Sequence, residues 1–156
     1  PSGIVKGWAI YNSAQILKKQ GLQNFYVDAG GDIQTYGKNS QGKDWSVGIR
    51  DPFDSEHKKV VKIVSGENIA VATSGTYLRG QHIYNPKTKS SEIPGVVSIS
   101  VIGPNIYEAD RFATAAFAMG RDGILFIEGL AGFEGYMIDE NKIATETSSF
   151  ERYVKT

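Results

Sequence analysis

The sequence contains no cysteine. That excludes a disulfide framework, a thiolate zinc site and a cysteine nucleophile, and says little about compartment, because a cysteine-free fold tolerates either redox state. A charge of one sign is also missing: 17 Lys and Arg residues stand against 17 Asp and Glu residues. Such a balance gives no footprint for a nucleic acid or an anionic membrane surface. No apolar run is long enough to span a bilayer and no signal-peptide pattern is present, so localisation is left open between cytoplasmic and membrane-anchored extracytoplasmic. Linkers, internal repeats and low-complexity tracts are absent as well. The sequence also lacks an initiator methionine, opening "PSGIVKGWAI" directly into helical periodicity. This leads to the expectation that the chain is a piece of a longer protein, with part of any site on other sequence.

What is present fits one domain over residues 1–156. The 156 residues, 40% of them hydrophobic and 11% aromatic, suffice for a real core. Glycine, at 18 residues, exceeds its usual share of ~7%, implying unusual backbone angles or close approach at many positions. Apolar spacing predicts a helix over 3–20, stopped by Gly21 as a C-terminal cap. "NFYVD" reads as a strand running into the tight turn "AGGD". "IQTYG" and "DWSVGIRDP" read as antiparallel strands joined by "KNSQGK", and "KKVVKIVS" with "NIAVATSG" as a second hairpin across Gly66, Glu67 and Asn68. "QHIYNPKTKS" reads as a short strand with a loop, "GVVSISVIG" as a buried strand, 106–119 as a helix and "DGILFIEGLAG" as a short helix. "FEGYMID" and "KIATETSSF" close the chain as a hairpin over Glu140 and Asn141. Strands in blocks rather than alternating with helices argue an α+β fold with an antiparallel sheet.

Five constellations could carry chemistry. In "DAGGD", Asp28 to Asp32, two glycines after a strand leave backbone N–H groups open to a phosphate, although a plain tight hairpin turn reads the residues equally well. A dinucleotide-binding fingerprint fails because no helix follows these glycines, and no Lys-Ser or Lys-Thr phosphate loop exists. "ATSGTY", Ala72 to Tyr77, offers hydroxyls at a strand end, or an ordinary Ser/Thr turn. His82 in "HIYNP" could act as a general base near neutral pH, or be a packed strand histidine; His57 reads as a solvated loop residue. Ser2, Gly3 and Lys6 stand at a helix N-terminus, where anions are attracted, though a surface lysine is the bland alternative. In "EADRFATAAFAMG", Glu108, Asp110 and Thr114 supply oxygens only, and the spacing of four sets Asp110 and Thr114 one turn apart on one face. Such oxygens suit Mg²⁺ or Ca²⁺, with Mg²⁺ taking one or two carboxylates and completing its shell with water and substrate phosphate. A solvated stripe is the alternative. On either reading Asp110 is expected to be an exposed helix carboxylate of little weight for stability.

In order and spacing, these pieces resemble the ApbE-type FAD:protein FMN transferases. "GIVKGWAI" looks like that family's GxxKG(Y/W)A helix, "VDAGGDI" its (N/D)AGGD(I/V) turn, and "WSVGIRDP" its W-x-(V/I)-G-I-(R/Q)-(D/N)-P strand. "ATSGTY" answers its TSG-x-Y, "HIYNPKT" its HI-x-(D/N)-P-(R/K)-T, and "EADRFATAAFAMG" its (E/A)AD-x-x-(S/A)T helix, together covering residues 2 to about 130. The resemblance implies a T-fold-like α+β arrangement, FAD as substrate and Mg²⁺ as cofactor. It implies transfer of FMN to a Thr or Ser hydroxyl of an acceptor protein, a subunit of a flavin-dependent redox complex, with release of AMP. By position, Asp110 and Thr114 match the metal-binding side chains, with a backbone carbonyl near Gly3 to Val5 as a third ligand. Gly30, Gly31 and Asp32 would cradle phosphate, and Thr73, Ser74 and Gly75 would place the flavin-phosphate end. His82 would be the base or transition-state donor, and Lys6 the cationic partner of the phosphates or of Asp110. Some relatives instead hydrolyse FAD to FMN and AMP, and a non-catalytic flavin-binding module is a further alternative. The sequence departs from the family at Tyr11, Asn85 and Lys89, where Asp, Asp and Gly are commoner.

Overall fold

The computed structural model describes residues 2–56, 58–76 and 83–155. Helix α1 spans Ser2–Lys19. Its end is a Schellman arrangement: Leu22 N–H reaches back to the Leu17 carbonyl (3.2 Å) and Gly21 N–H to that of Lys18 (3.0 Å). Gly21 sits at φ 84°, a left-handed angle that glycine adopts without a Cβ penalty. Strands β1 (Phe25–Ala29) and β2 (Asp32–Tyr36) pair antiparallel across Gly30 and Gly31. Both glycines have positive φ, 65° and 94°, as a two-residue hairpin turn matching the strand twist requires. Strands β3 (Trp45–Arg50), β4 (Val60–Gly66), β5 (Ala70–Gly75) and β6 (Ser98–Gly103) follow. Helix α2 covers Ile106–Ala118, α3 covers Gly123–Glu128, and strands β7 (Glu134–Ile138) and β8 (Ala144–Glu146) come last, before a 3₁₀ turn at Phe150–Tyr153.

Six strands form one antiparallel sheet in the order β1-β2-β5-β6-β7-β8, and β3 with β4 forms a separate two-stranded sheet. The expected α+β class with an antiparallel sheet is the class observed, and the expected closing hairpin is β7–β8. Both middle hairpins are corrected. β2 pairs with β1 and β5 rather than with β3, and β4 pairs with β3 rather than with β5. Chain proximity suggested the wrong partners because "KNSQGK" and the Glu67–Asn68 turn carry ordinary turn chemistry. What decides is burial. β5 places Ala70 and Ala72 toward one face and Val71 toward the other, all at most 2% exposed, so it belongs inside a covered sheet. β4 leaves Val60 and Ile63 exposed and suits a two-stranded flap. The short strand expected at 81–90 falls partly outside the described residues; within them, only an isolated bridge joins Asn85 and Ser90.

The sheet is covered on both faces. On one, Ala70, Ala72, Ile99 and Val101 meet Ala109, Ala113, Ala116 and Phe117 of α2. Alanines on both sides let the helix lie close to the strands, a fit that depends on small side chains. On the other, Val71, Ile102, Tyr136 and Ile138 pack against Val47, Ile49, Val64 and Phe150. β6 is therefore buried at every position. α1 lies outside α2 and reaches β1 and β2, an arrangement that assembles the site.

Candidate functional site

α2 is anchored first. Asn105 caps it, its side chain accepting from Glu108 N–H, which satisfies one of the free donors of a helix start. The buried Gln34 side chain of β2 accepts from Ile106 N–H at 2.9 Å. One turn along, Asp110 and Thr114 project toward α1, where Gly3 and Gly7 are spaced by the same four residues. The fit is close: a Cβ added at Gly7 would lie 2.7 Å from Asp110 Cβ and 2.8 Å from the Ile106 carbonyl oxygen, and one added at Gly3 would lie 2.8 Å from Thr114 Cγ2. Gly7 N–H donates to Asp110 Oδ2 at 2.7 Å.

Asp110 is 5% exposed. The expectation of an exposed carboxylate is thereby corrected, as is the solvated-stripe alternative for this face: the two glycines of α1 bring backbone against α2 where ordinary side chains would have left room for water. Glu108, by contrast, turns to Arg111 in an ion pair at 2.6 Å and is not directed at Thr114.

Asp32, at the start of β2, is 1% exposed. Its Oδ1 accepts from Thr73 N–H at 3.1 Å and its Oδ2 faces the Lys6 ammonium at 2.7 Å. Burial pushes the Asp32 carboxyl up to about 6, against the Lys6 charge and the Thr73 N–H, which pull it down; the neighbouring Asp110 charge adds to the rise. The Lys6 side chain, 29% exposed, thus opposes with its charge the effect of burial on Asp32. Thr73 Oγ1 lies 2.7 Å from Ser100 Oγ, and Ser74 Oγ lies 3.4 Å from Thr114 Oγ1. Gly75 ends β5 opposite Ser98.

The structure therefore brings Lys6, Asp32, Thr73, Ser74, Asp110 and Thr114 together from α1, β2, β5 and α2. Gly30 and Gly31 form the turn leading to Asp32, with open space above both, and Gly31 N–H donates to Asp28 Oδ1 at 2.9 Å. His82 and His57 lie outside the described residues. Residues that sequence reasoning passed over are Gly7, Gln34 and Ser100. Two of them carried a signal: Gly7 follows Gly3 by four residues, the spacing of Asp110 and Thr114, and Ser100 interrupts the run "VVSISVIG".

The donors are all oxygens, as a hard cation requires. Among the described residues no three His, Asp or Glu side chains gather into a metal cage, so a cation held by Asp110 and Thr114 would complete its shell with backbone, water or phosphate oxygens. A buried carboxylate one turn from a hydroxyl is the kind of oxygen pair that Mg²⁺ would take in that role. Among the described residues no helix is long and apolar enough to cross a membrane.

Comparison with known proteins gives consistent results. The ApbE family matches residues 1–137. The chain is 29% identical to the FAD:protein FMN transferase of Haemophilus influenzae, over 99% of this chain and 48% of that protein. It is 31% identical to the FAD:protein FMN transferase of Vibrio cholerae, over 99% and 47%. Among solved structures, the flavin transferase ApbE from Vibrio cholerae superposes with a TM-score of 0.84 at 31% identity, covering 97% of this chain and 51% of that one. The ApbE protein from Thermotoga maritima superposes at 0.86 with 28% identity, covering 99% and 52%. The chain spans about half the length of the curated relatives it matches.

Proposed function

This chain belongs to the ApbE family, and we propose that its protein is a Mg²⁺-dependent FAD:protein FMN transferase, moving FMN from FAD onto a Thr or Ser hydroxyl of an acceptor protein with release of AMP. The observation that carries the reading is the gathering of Lys6, Asp32, Ser74, Asp110 and Thr114 from four elements into one oxygen-rich, part-buried corner. The activity for which its relatives are named, FAD:protein FMN transferase, supplies the reaction.

In that reaction the acceptor hydroxyl oxygen forms a bond to the FMN-side phosphorus. The bond from that phosphorus to the bridging oxygen breaks, and AMP leaves with that oxygen. The hydroxyl proton passes to a base, a role assigned to His82. Asp110 and Thr114 would hold Mg²⁺, which when bound neutralises charge growing on the phosphate oxygens. Asp32 takes the Lys6 ammonium and the Thr73 N–H together, and so fixes α1 and the β5 end relative to each other. In this reading Thr73, Ser74 and Gly75 orient the flavin-phosphate end, and Gly30 and Gly31, with open space above both, cradle phosphate. The acceptor in this reading is a subunit of a flavin-dependent redox complex.

The test incubates the full-length protein with FAD, Mg²⁺ and a threonine-containing acceptor peptide, followed by mass spectrometry of the peptide and assay of AMP. The expected result is a peptide heavier by one phosphoester-linked FMN for each AMP released, lost in Asp110→Asn. Free FMN and AMP with an unmodified peptide would assign hydrolysis of FAD to the site instead. FAD binding without cleavage would assign a flavin-binding module.

A further inference from the structure

The flavin-transferase reading leaves unexplained why the hydroxyl at position 114 belongs to threonine rather than serine, and why the helix opposite carries glycine at position 3. A threonine in a helix divides between two χ1 rotamers, because its hydroxyl can turn back to the carbonyl three or four residues earlier. In that rotamer the oxygen is spent on its own helix. Something outside α2 must therefore set the rotamer if the hydroxyl is to serve the site.

We propose that Gly3 is a positioning residue that sets the Thr114 rotamer, its missing side chain forming the seat for the Thr114 methyl and so aiming Oγ1 at the cation position. The geometry is specific. A Cβ at residue 3 would stand 2.8 Å from Cγ2 of Thr114 but 3.5 Å from both its Cβ and its Oγ1. The methyl alone occupies the seat. With it there, Oγ1 comes within 3.4 Å of Ser74 Oγ near the end of β5, on the helix face that Thr114 shares with Asp110, one turn away. Filling the seat leaves two escapes, and each removes the hydroxyl from the site. Either χ1 turns, carrying Oγ1 with it, or α1 lifts away, carrying with it the Gly7 N–H that holds Asp110 Oδ2.

This inference rests on the cation of the proposed reaction, and its chemistry supplies a compensating change. Thr114→Ser deletes only the methyl, so the Gly3→Ala Cβ would then have its nearest side-chain neighbours at ordinary contact distance. Mn²⁺, titrated in the presence of FAD and followed by electron paramagnetic resonance, reads cation affinity directly in the wild type, Gly3→Ala, Thr114→Ser and the double variant, with circular dichroism verifying that each is folded. Gly3→Ala should weaken Mn²⁺ at least about tenfold, the scale of losing a residue that orients a metal ligand. Thr114→Ser should weaken it only about threefold, through the loss of one rotamer preference. The double variant should return to the Thr114→Ser value, a rescue that a general loss of helix packing does not produce. Unchanged affinity in Gly3→Ala, or a double variant no better than Gly3→Ala, overturns the positioning role while leaving the function standing. A wild-type protein that takes no Mn²⁺ contradicts both.

Discussion

Asp32 shows how much a single residue can be asked to do in this fold. Its carboxylate is buried, joins the Lys6 ammonium to the Thr73 backbone, and sits beside the charge of Asp110. Because its carboxyl is raised from 3.8 to about 6, ionisation is harder in the folded chain than in the unfolded one. The contribution is therefore fully present below about pH 4 and lost as pH rises through about 6, where the ionised group costs the fold about 3 kcal/mol. Asp32→Asn should match the wild type in urea unfolding near pH 3.5 and become progressively more stable than it between pH 4 and 6.5. A difference that is flat, or that opens in the opposite direction, contradicts this account of the pair. Lys89 makes a smaller point at the same scale. It occupies a left-handed turn at φ 56°, which explains why glycine suits the family at this position. Sequence comparison marked the departure; only the backbone angle gives its reason.

At the scale of elements, the contact between α1 and α2 depends on two glycines facing two polar side chains. Gly7→Ala places a methyl 2.7 Å from Asp110 Cβ and 2.8 Å from a main-chain oxygen that cannot turn aside. Overpacking of this kind costs roughly 1–3 kcal/mol, so the variant should melt several degrees below the wild type by calorimetry, although alanine is the better helix former. A melting temperature equal to or above the wild type would show that the helices are not in such close contact. The two long helices were legible in the sequence: expected at 3–20, stopped by Gly21, and at 106–119, they span Ser2–Lys19 and Ile106–Ala118. Strand partners were not. The residues of β4 and β5 carry apolar patterns that are compatible with pairing to each other, and what separates them is which side chains a third layer covers. That information is non-local, and no turn signature contains it.

At the scale of the whole molecule, three layers converge to give the candidate site its depth. The sheet presents Asp32 and Ser74, α2 presents Asp110 and Thr114, and α1 closes over them with glycine and lysine. The residue types and their order were readable in advance, because "GIVKG", "AGGD", "TSG" and "EADRFAT" each carry recognisable chemistry. Their juxtaposition was not, since residues 6, 32, 74 and 110 meet only through the sheet order β2-β5-β6 and the crossing of two helices. The burial of Asp110 follows from the same crossing. An aspartate in an alanine-rich helix gives no sign by itself of whether water or another helix lies against it.

The proposed function turns on the Asp110 carboxylate and the Thr114 hydroxyl gripping one hard cation against the diphosphate of a bound flavin dinucleotide. Anomalous diffraction from a crystal of the full-length protein grown with FAD and Mn²⁺ tests it directly. A single manganese peak within coordinating distance of an Asp110 oxygen and Thr114 Oγ1, touching a phosphate oxygen of the dinucleotide, is the result expected. Manganese bound elsewhere, or a diphosphate resting away from α2, would contradict it.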